Sequence, residues 1–136
     1  MTTSKGKFLL DTQIFLWYLM GELPQDVSKI IEKSRNIIYL STANVWEIIL
    51  KRQKGKLKIP GNIKEVIKQS NFGFLSVDLE HVLGLEELEK YHQDPFDRIL
   101  ISQAKKENLI LITSDKKIWR YKVKILRVSK GNNKKR

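Results

Sequence analysis

Two carboxylates three residues apart, Asp94 and Asp97, open the stretch of the chain best suited to chemistry, His92-Gln93-Asp94-Pro95-Phe96-Asp97-Arg98. The stretch reads as a helix start. Asp94 offers an acceptor to free backbone N–H groups, and Pro95 fits the first helical position, where its missing N–H would have no intrahelical acceptor. Asp97 is the anomaly. Leu100, Ile101 and Ala104 follow it at helical spacing, so Asp97 shares a face with residues bound for the core. An ionised carboxylate there costs several kcal/mol unless a cation or hydrogen-bond donors compensate it. The alternative is a partly wet first-turn acid that only complements the helix dipole.

The elements around this stretch determine which other acids it meets. Lys7 to Leu10 is an apolar run that stops at Asp11, and a short helix carrying Ile14, Phe15, Trp17, Tyr18 and Leu19 ends at Gly21. Residues 24 to 35 have helical spacing, Ile37 to Leu40 reads as a strand, and Ser41 caps a helix that carries Glu47 and ends at Gly55. Pro60 and Gly61 break the chain before a helix with Ile63, Val66 and Ile67. Phe74 to Val77 is the next strand, and Asp78 caps the segment that follows. After the central helix come a strand at Leu109 to Ile112, Thr113-Ser114-Asp115, a short helix at Ile118 and Trp119, and a last strand at Lys124 to Val128. Five short strands alternating with helices predict right-handed crossovers. The expected fold is α/β, a three-layer α/β/α sandwich around a central, mostly parallel five-stranded sheet.

Ligands of such sheets bind beyond the carboxyl ends of the strands, where strand order reverses. That geometry selects Asp11 after the first strand and Asp115 past the fourth, with Glu47 and Asp97 on helical turns that face the same edge. Crowded carboxylates resist ionisation, so their convergence calls for divalent cations. A donor set of oxygens without Cys or clustered His suits Mg²⁺ or Mn²⁺, one or two ions. Each acid also has a structural role open to it: Asp11 as a turn or cap, Glu47 as the i,i+4 partner of Lys51, Asp115 as a helix cap. Asp78 and Asp94 are assigned to capping. His81 and His92 are isolated imidazoles without ligand spacing, expected at the surface.

Composition bounds the function class. A chain of 136 residues with 41% hydrophobic content suits one compact domain, taken as residues 1–129, followed by a basic, disordered tail at 130–136. The absence of cysteine excludes disulfides and thiolate metal sites. No cationic leader opens the chain and no apolar run approaches the roughly 20 residues that span a bilayer, so a soluble, cytoplasmic protein without membrane contact is expected. The net charge of +11 is concentrated: residues 116 to 136 hold 10 bases and no acid, and Lys51, Arg52, Lys54, Lys56 and Lys58 form a second cluster. Such clusters serve either as solvated surface or as a track for phosphates. Trp17, Trp46 and Trp119 are assigned to core or interface. Phe15, Trp17, Tyr18 and Trp46 exceed what one small core absorbs, which predicts an aromatic-containing contact with a second copy or a partner.

Taken jointly, Leu9-Leu10-Asp11-Thr12, Ser41 with Trp46-Glu47 and Lys51, His92-x-Asp94-Pro95-Phe96-Asp97-Arg98, and Thr113-Ser114-Asp115 resemble the PIN domain family, and within it the VapC-like toxins of toxin–antitoxin pairs. The resemblance runs from about Phe8 to Val128. By position it places the family's metal-binding acids on Asp11, Glu47, Asp97 and Asp115, and a pocket-organising hydroxyl on Thr113. Thr12, Ser41 and Asp94 fall in supporting places, Asp94 as a cap or an occasional ligand. The resemblance implies a metal-dependent ribonuclease, dimeric and restrained by a small antitoxin. Lys51, Arg52, Lys54 and Arg98 are then the candidate RNA contacts, with the basic tail. A PIN nuclease of RNA maturation or of structured DNA is an alternative, as is a non-catalytic RNA-binding module, which needs the bases but not the acids. A receiver-type phosphoacceptor domain needs an acidic pair at the first strand, and here Thr12 and Gln13 follow Asp11.

Overall fold

The computed structural model describes residues 6–59 and 61–129. Five strands, β1 (Lys7–Leu10), β2 (Ile37–Ser41), β3 (Gly73–Leu75), β4 (Ile110–Thr113) and β5 (Ile125–Arg127), lie in the order β3-β2-β1-β4-β5. Every neighbouring pair is parallel, so the sheet is wholly rather than mostly parallel. The chain builds outward from β1 through β2 to β3, then returns to the other side of β1 for β4 and β5. Strand order therefore reverses between β1 and β4, and a crevice opens there beyond their carboxyl ends.

Alternation along the strands divides the apolar side chains between two cores. Phe8, Leu10, Ile38, Leu40 and Ile112 face one side of the sheet, where α1 (Thr12–Leu19), α2 (Gln25–Glu32) and α4 (Ile63–Gln69) cover them. Leu9 and Leu111 face the other, under α6 (Pro95–Glu107). The remaining helices, α3 (Thr42–Gln53) and α5 (Leu79–Leu83), both pack against α6. Ala43 of α3 enters the α6 core and Ile48 enters the opposite one, so α3 bridges the two layers at the sheet edge. Burying Ile99, Leu100 and Ile101 stabilises the α6 face by about 1.5–3 kcal/mol for each side chain.

The ring surplus expected from sequence is mostly absorbed. Phe15 is fully buried, and Phe15 and Tyr18 each meet the ring of Phe72, which strand and helix periodicity had not singled out. Trp17 packs partly buried against the same core. Trp46 alone of the four stays open, 64% exposed, with its ring edge-on to Phe96. The expected surface position of His81 is also corrected. Its ring is fully buried beneath α6, with Nδ1 accepting from Asp78 N–H (3.0 Å) and Nε2 at 2.8 Å from Glu107 Oε2. Pro60 and the basic tail at 130–136 lie outside the described residues. Among the described residues no helix is long and apolar enough to cross a membrane.

Arg98 is placed differently from the RNA contact expected of it. Its guanidinium donates to the backbone carbonyls of Leu85 (3.2 Å), Glu89 (2.9 Å) and His92 (3.1 Å), and lies 3.4 Å from the Tyr121 hydroxyl. One side chain at the start of α6 thus ties down the segment that leads into it. Hydrogen bonds from a charged donor are worth about 1.5–3 kcal/mol each in net stability, less where solvent competes. Arg98→Met, which keeps the stem and removes the donors, is expected to lower unfolding free energy by about 2 kcal/mol or more in urea titrations. A loss below about 0.5 kcal/mol would remove the guanidinium from this role.

Candidate active site

Asp11, Asp94 and Asp115 reach the crevice because a local backbone need puts them there. Asp11 follows β1 directly and caps α1, its Oδ1 accepting from Ile14 N–H at 2.8 Å. Asp115 follows β4 by two residues, its N–H donating to Thr113 Oγ1 at 3.0 Å and its Oδ1 accepting from Lys117 N–H at 2.9 Å. Asp94 caps α6, with Oδ1 accepting from Phe96 N–H (2.8 Å) and Asp97 N–H (3.2 Å). Asp97 stands in the first turn of that helix, where the apolar face of α6 runs out into the crevice and leaves its side chain 19% exposed. Glu47 approaches from α3 and is buried.

Glu47 is held by a chain of hydrogen bonds that starts at the α3 cap. Ser41 Oγ accepts from Ala43 N–H, and Asn44 Oδ1 accepts from Ser41 N–H at 2.7 Å, a reciprocal cap of the helix terminus. Asn44 Nδ2 donates to Thr12 Oγ1 (3.0 Å), which donates to Glu47 Oε1 (2.6 Å), while Glu47 Oε2 meets Lys51 Nζ at 2.8 Å. Both Glu47 oxygens are thereby oriented. Asn44 is fully buried and was missed from sequence. Its signal was its place three residues after a serine cap, where a polar side chain reaches back to the cap backbone.

Asp11, Glu47, Asp94, Asp97 and Asp115 line one cleft of about 420 Å³, together with Thr12, Ser114 and Lys51. Among the described residues lining it, five carboxylates face a single ammonium. Burial raises the Asp97 carboxyl to about 8, and the charges of Asp94, Asp11, Glu47 and Asp115 push in the same direction. Burial raises Asp11 to about 6, opposed by hydrogen bonds from Thr113 and from the Ile14 backbone. The Lys51 ammonium is pushed up by its hydrogen bond to Glu47. Such a surplus of carboxylate fits a bound cation, which removes the repulsion and displaces the proton.

His92 corrects the expectation of a surface imidazole. It is buried behind two acids that line the cleft, its Nε2 at 2.7 Å from Asp115 Oδ2 and 3.0 Å from Asp97 Oδ2. One ring nitrogen and one oxygen from each aspartate lie within 4.8 Å of one another, a group of the size that surrounds a metal ion. The signal was its fixed place two residues before the α6 cap, since Asp94 N–H donates to His92 Nδ1 at 3.2 Å. Of the expected RNA contacts, Lys51 lines the cleft and Arg52 lies in the last turn of α3, its guanidinium 3.4 Å from Gly61 O. Lys54 ends that helix, exposed.

A wholly parallel α/β sheet with clustered acids beyond its switch point defines the class of the protein, an α/β domain with a strand-end ligand crevice, and sequence comparison narrows it. The chain belongs to the PIN domain family, whose sequence model matches residues 8–124. Comparison with curated proteins gives no match. Solved chains share the fold at low identity. VapBC2 from Rickettsia felis, bound to a DNA fragment from its promoter, aligns with TM-score 0.71 at 18% identity, covering 90% of this chain and 99% of that one. DNA-bound VapBC from Salmonella typhimurium gives 0.67 at 18%, covering 90% and 98%. FitAcB from Neisseria gonorrhoeae gives 0.59 at 20%, covering 88% and 96%.

The raised Asp97 value makes stability depend on pH in metal-free buffer. The folded protein holds this proton more tightly than the unfolded chain between about 3.8 and about 8, so stability is greatest below that window and falls as pH rises through it. The limiting slope is about 1.4 kcal/mol per pH unit for each proton. Melting of the metal-free protein from pH 5 to pH 8 is expected to show this fall, and Asp97→Asn to flatten it. Parallel curves for the two proteins would contradict the placement of Asp97 among like charges.

Proposed function

We propose that this protein is a divalent-cation-dependent endoribonuclease that hydrolyses RNA phosphodiester bonds, acting as the toxin of a toxin–antitoxin pair. The observation that carries the reading is the set of five carboxylates around one ammonium at the switch point of a PIN-family sheet. Asp11 and Asp97 would hold the cation directly, with Glu47 and Asp115 completing the set through waters or around a second ion. Mg²⁺ keeps several waters and uses few carboxylates, so not all four acids need touch one ion. Mg²⁺ or Mn²⁺ suits carboxylate oxygens.

When bound, the cation supplies a water of lowered pKa, holds it in line with the leaving oxygen and offsets charge on the scissile phosphate. The protein's own contribution is orientation. Thr113 keeps Asp11 in place by a hydrogen bond, and Thr12 keeps Glu47 in place. Lys51, with Arg52 and Lys54 along the same helix end, offers positive charge to the RNA backbone beside an otherwise acidic cleft. Similarity to chains in VapBC and FitAcB assemblies supports a small antitoxin partner, and the open Trp46 on α3 supports a protein contact, for which a homodimer is the simplest occupant.

The two aspartates of α6 test the reading. Asn serves as well as Asp at a helix cap, so Asp94→Asn is expected to keep the fold and retain cleavage within about tenfold. Asp97→Asn keeps the shape and removes the anion, and is expected to abolish Mg²⁺-dependent cleavage with metal-free melting unchanged or raised. Single-turnover cleavage of both variants at matched Mg²⁺ decides it. Parental cleavage by Asp97→Asn sinks the assignment, and a dead Asp94→Asn with an active Asp97→Asn would exchange their roles. A protein that binds RNA equally with and without divalent cation and never cuts it would instead be a binding module.

A further inference from the structure

His92 stands among the proposed cation-holding acids without being one of them, and its ring geometry says what it does there. The backbone on either side is fixed. His92 N–H donates to the Tyr121 hydroxyl (3.0 Å), that hydroxyl donates to Glu89 O (2.7 Å), and His92 O accepts from Arg98 (3.1 Å). The ring is then oriented by Asp94, whose backbone N–H donates to Nδ1 at 3.2 Å. A nitrogen that accepts a hydrogen bond carries no proton, so the ring's proton belongs on Nε2. Nε2 is the atom that meets Asp115 Oδ2 at 2.7 Å and Asp97 Oδ2 at 3.0 Å. One N–H therefore serves two carboxylates.

We propose that His92 is a positioning residue of the cleft: its Nε2–H bridges Asp97 and Asp115, holds the two carboxylates together, and leaves the other Asp97 oxygen for the cation. The inference rests on the cation site proposed above. The same geometry argues against His92 as a ligand through Nε2. A ligating Nε2 needs its lone pair free, which would move the ring proton to Nδ1, against the N–H of Asp94. The donor set stays carboxylate oxygen even though an imidazole stands within it. Asp115 has its second oxygen on Lys117 N–H, so the carboxylate is fixed against the ring while each oxygen keeps a lone pair for a cation or its waters. The buried His81 has the matching arrangement, Nδ1 on Asp78 N–H and Nε2 on Glu107, and by the same argument offers no lone pair to a metal. What distinguishes His92 is that its partners line the acidic cleft.

Histidine-to-carboxylate hydrogen bonds around metal sites commonly set metal affinity by about 10- to 100-fold. The test is Mn²⁺ binding to the full chain without RNA, followed by the free-Mn²⁺ electron paramagnetic resonance signal. His92→Leu, which removes the donor, is expected to weaken binding by about 10-fold or more. His92→Gln, whose amide N–H₂ reaches a similar place, is expected to recover it to within about threefold of the parent, with circular dichroism and melting confirming both folds. Asp97→Asn is expected to bind no Mn²⁺. Parental affinity in His92→Leu overturns the proposal, and so does equal weakening in folded Leu and Gln variants. If Asp97→Asn also binds like the parent, the cation site itself is wrong, a failure distinct from that of His92 alone. Independently of any variant, ring ¹⁵N spectra of the parent should place the proton on Nε2 before and after saturation with Mg²⁺. Transfer of that proton to Nδ1 on adding Mg²⁺ would make His92 a ligand and overturn the positioning role.

Discussion

Mutual repulsion among five carboxylates is the constraint on which the rest of this structure depends. Two of them, Asp11 and Asp97, are raised well above the ordinary carboxylate range, chiefly by burial. A chain free to relax would separate them. The fold prevents this by using four of the five for a second purpose: Asp11 and Asp94 cap helices, Asp115 accepts from the turn after β4, and Glu47 pairs with Lys51. Local stabilisation of helix ends, worth about 0.5–2 kcal/mol per cap, thus offsets part of the repulsion at the site.

Asp97 has no such local task, and it carries the largest shift. Its backbone N–H is satisfied by Asp94, but its side chain depends on the His92 ring and on whatever enters the cleft. The support of that ring reaches far from the cleft, through Tyr121 near β5 and Arg98 on α6. The segment tied down by Arg98, from Leu85 to His92, contains no long regular element, only the end of a 3-10 turn (Gly84–Glu87) before a run of coil. Its order comes from side chains that bind its carbonyls, and the position of His92 follows from that order.

The sheet and its helices were legible because the signals were local. Apolar runs of strand length, Gly21 and Gly55 at helix ends, and capping by Ser41, Asp78 and Asp94 all act within a few residues, and the element bounds differ from expectation by at most three residues. The four acids Asp11, Glu47, Asp97 and Asp115 were selected by topology, since only a parallel sheet with a reversal brings strand ends and helix starts to one edge. The imidazoles were misjudged for a physical reason. His81 and His92 are buried by partners 26 and 23 residues away, Glu107 and Asp115, and no spacing rule along the chain encodes such a meeting. For Arg98 the sequence offered only a cation next to an acidic site, which reads as a substrate contact; the hold of its guanidinium on three carbonyls has no signal along the chain.

The charge around the cleft also constrains how RNA is approached in the proposed reaction. A phosphate backbone entering alone would meet more negative than positive charge, since Lys51 is already paired with Glu47. The surrounding bases, Arg52 and Lys54 at the end of α3, would attract RNA from outside the cleft without reversing the sign within it. On the proposed function, binding and catalysis would be separable: lysines and arginines at the rim would gather RNA, and the scissile phosphate would enter the acidic centre only once that centre is neutralised. A pure binding module has no use for carboxylates that oppose its ligand. Their gathering in one hydrogen-bonded cluster, in which burial and like charge raise Asp11 and Asp97, is the physical reason for reading the site as one that cuts.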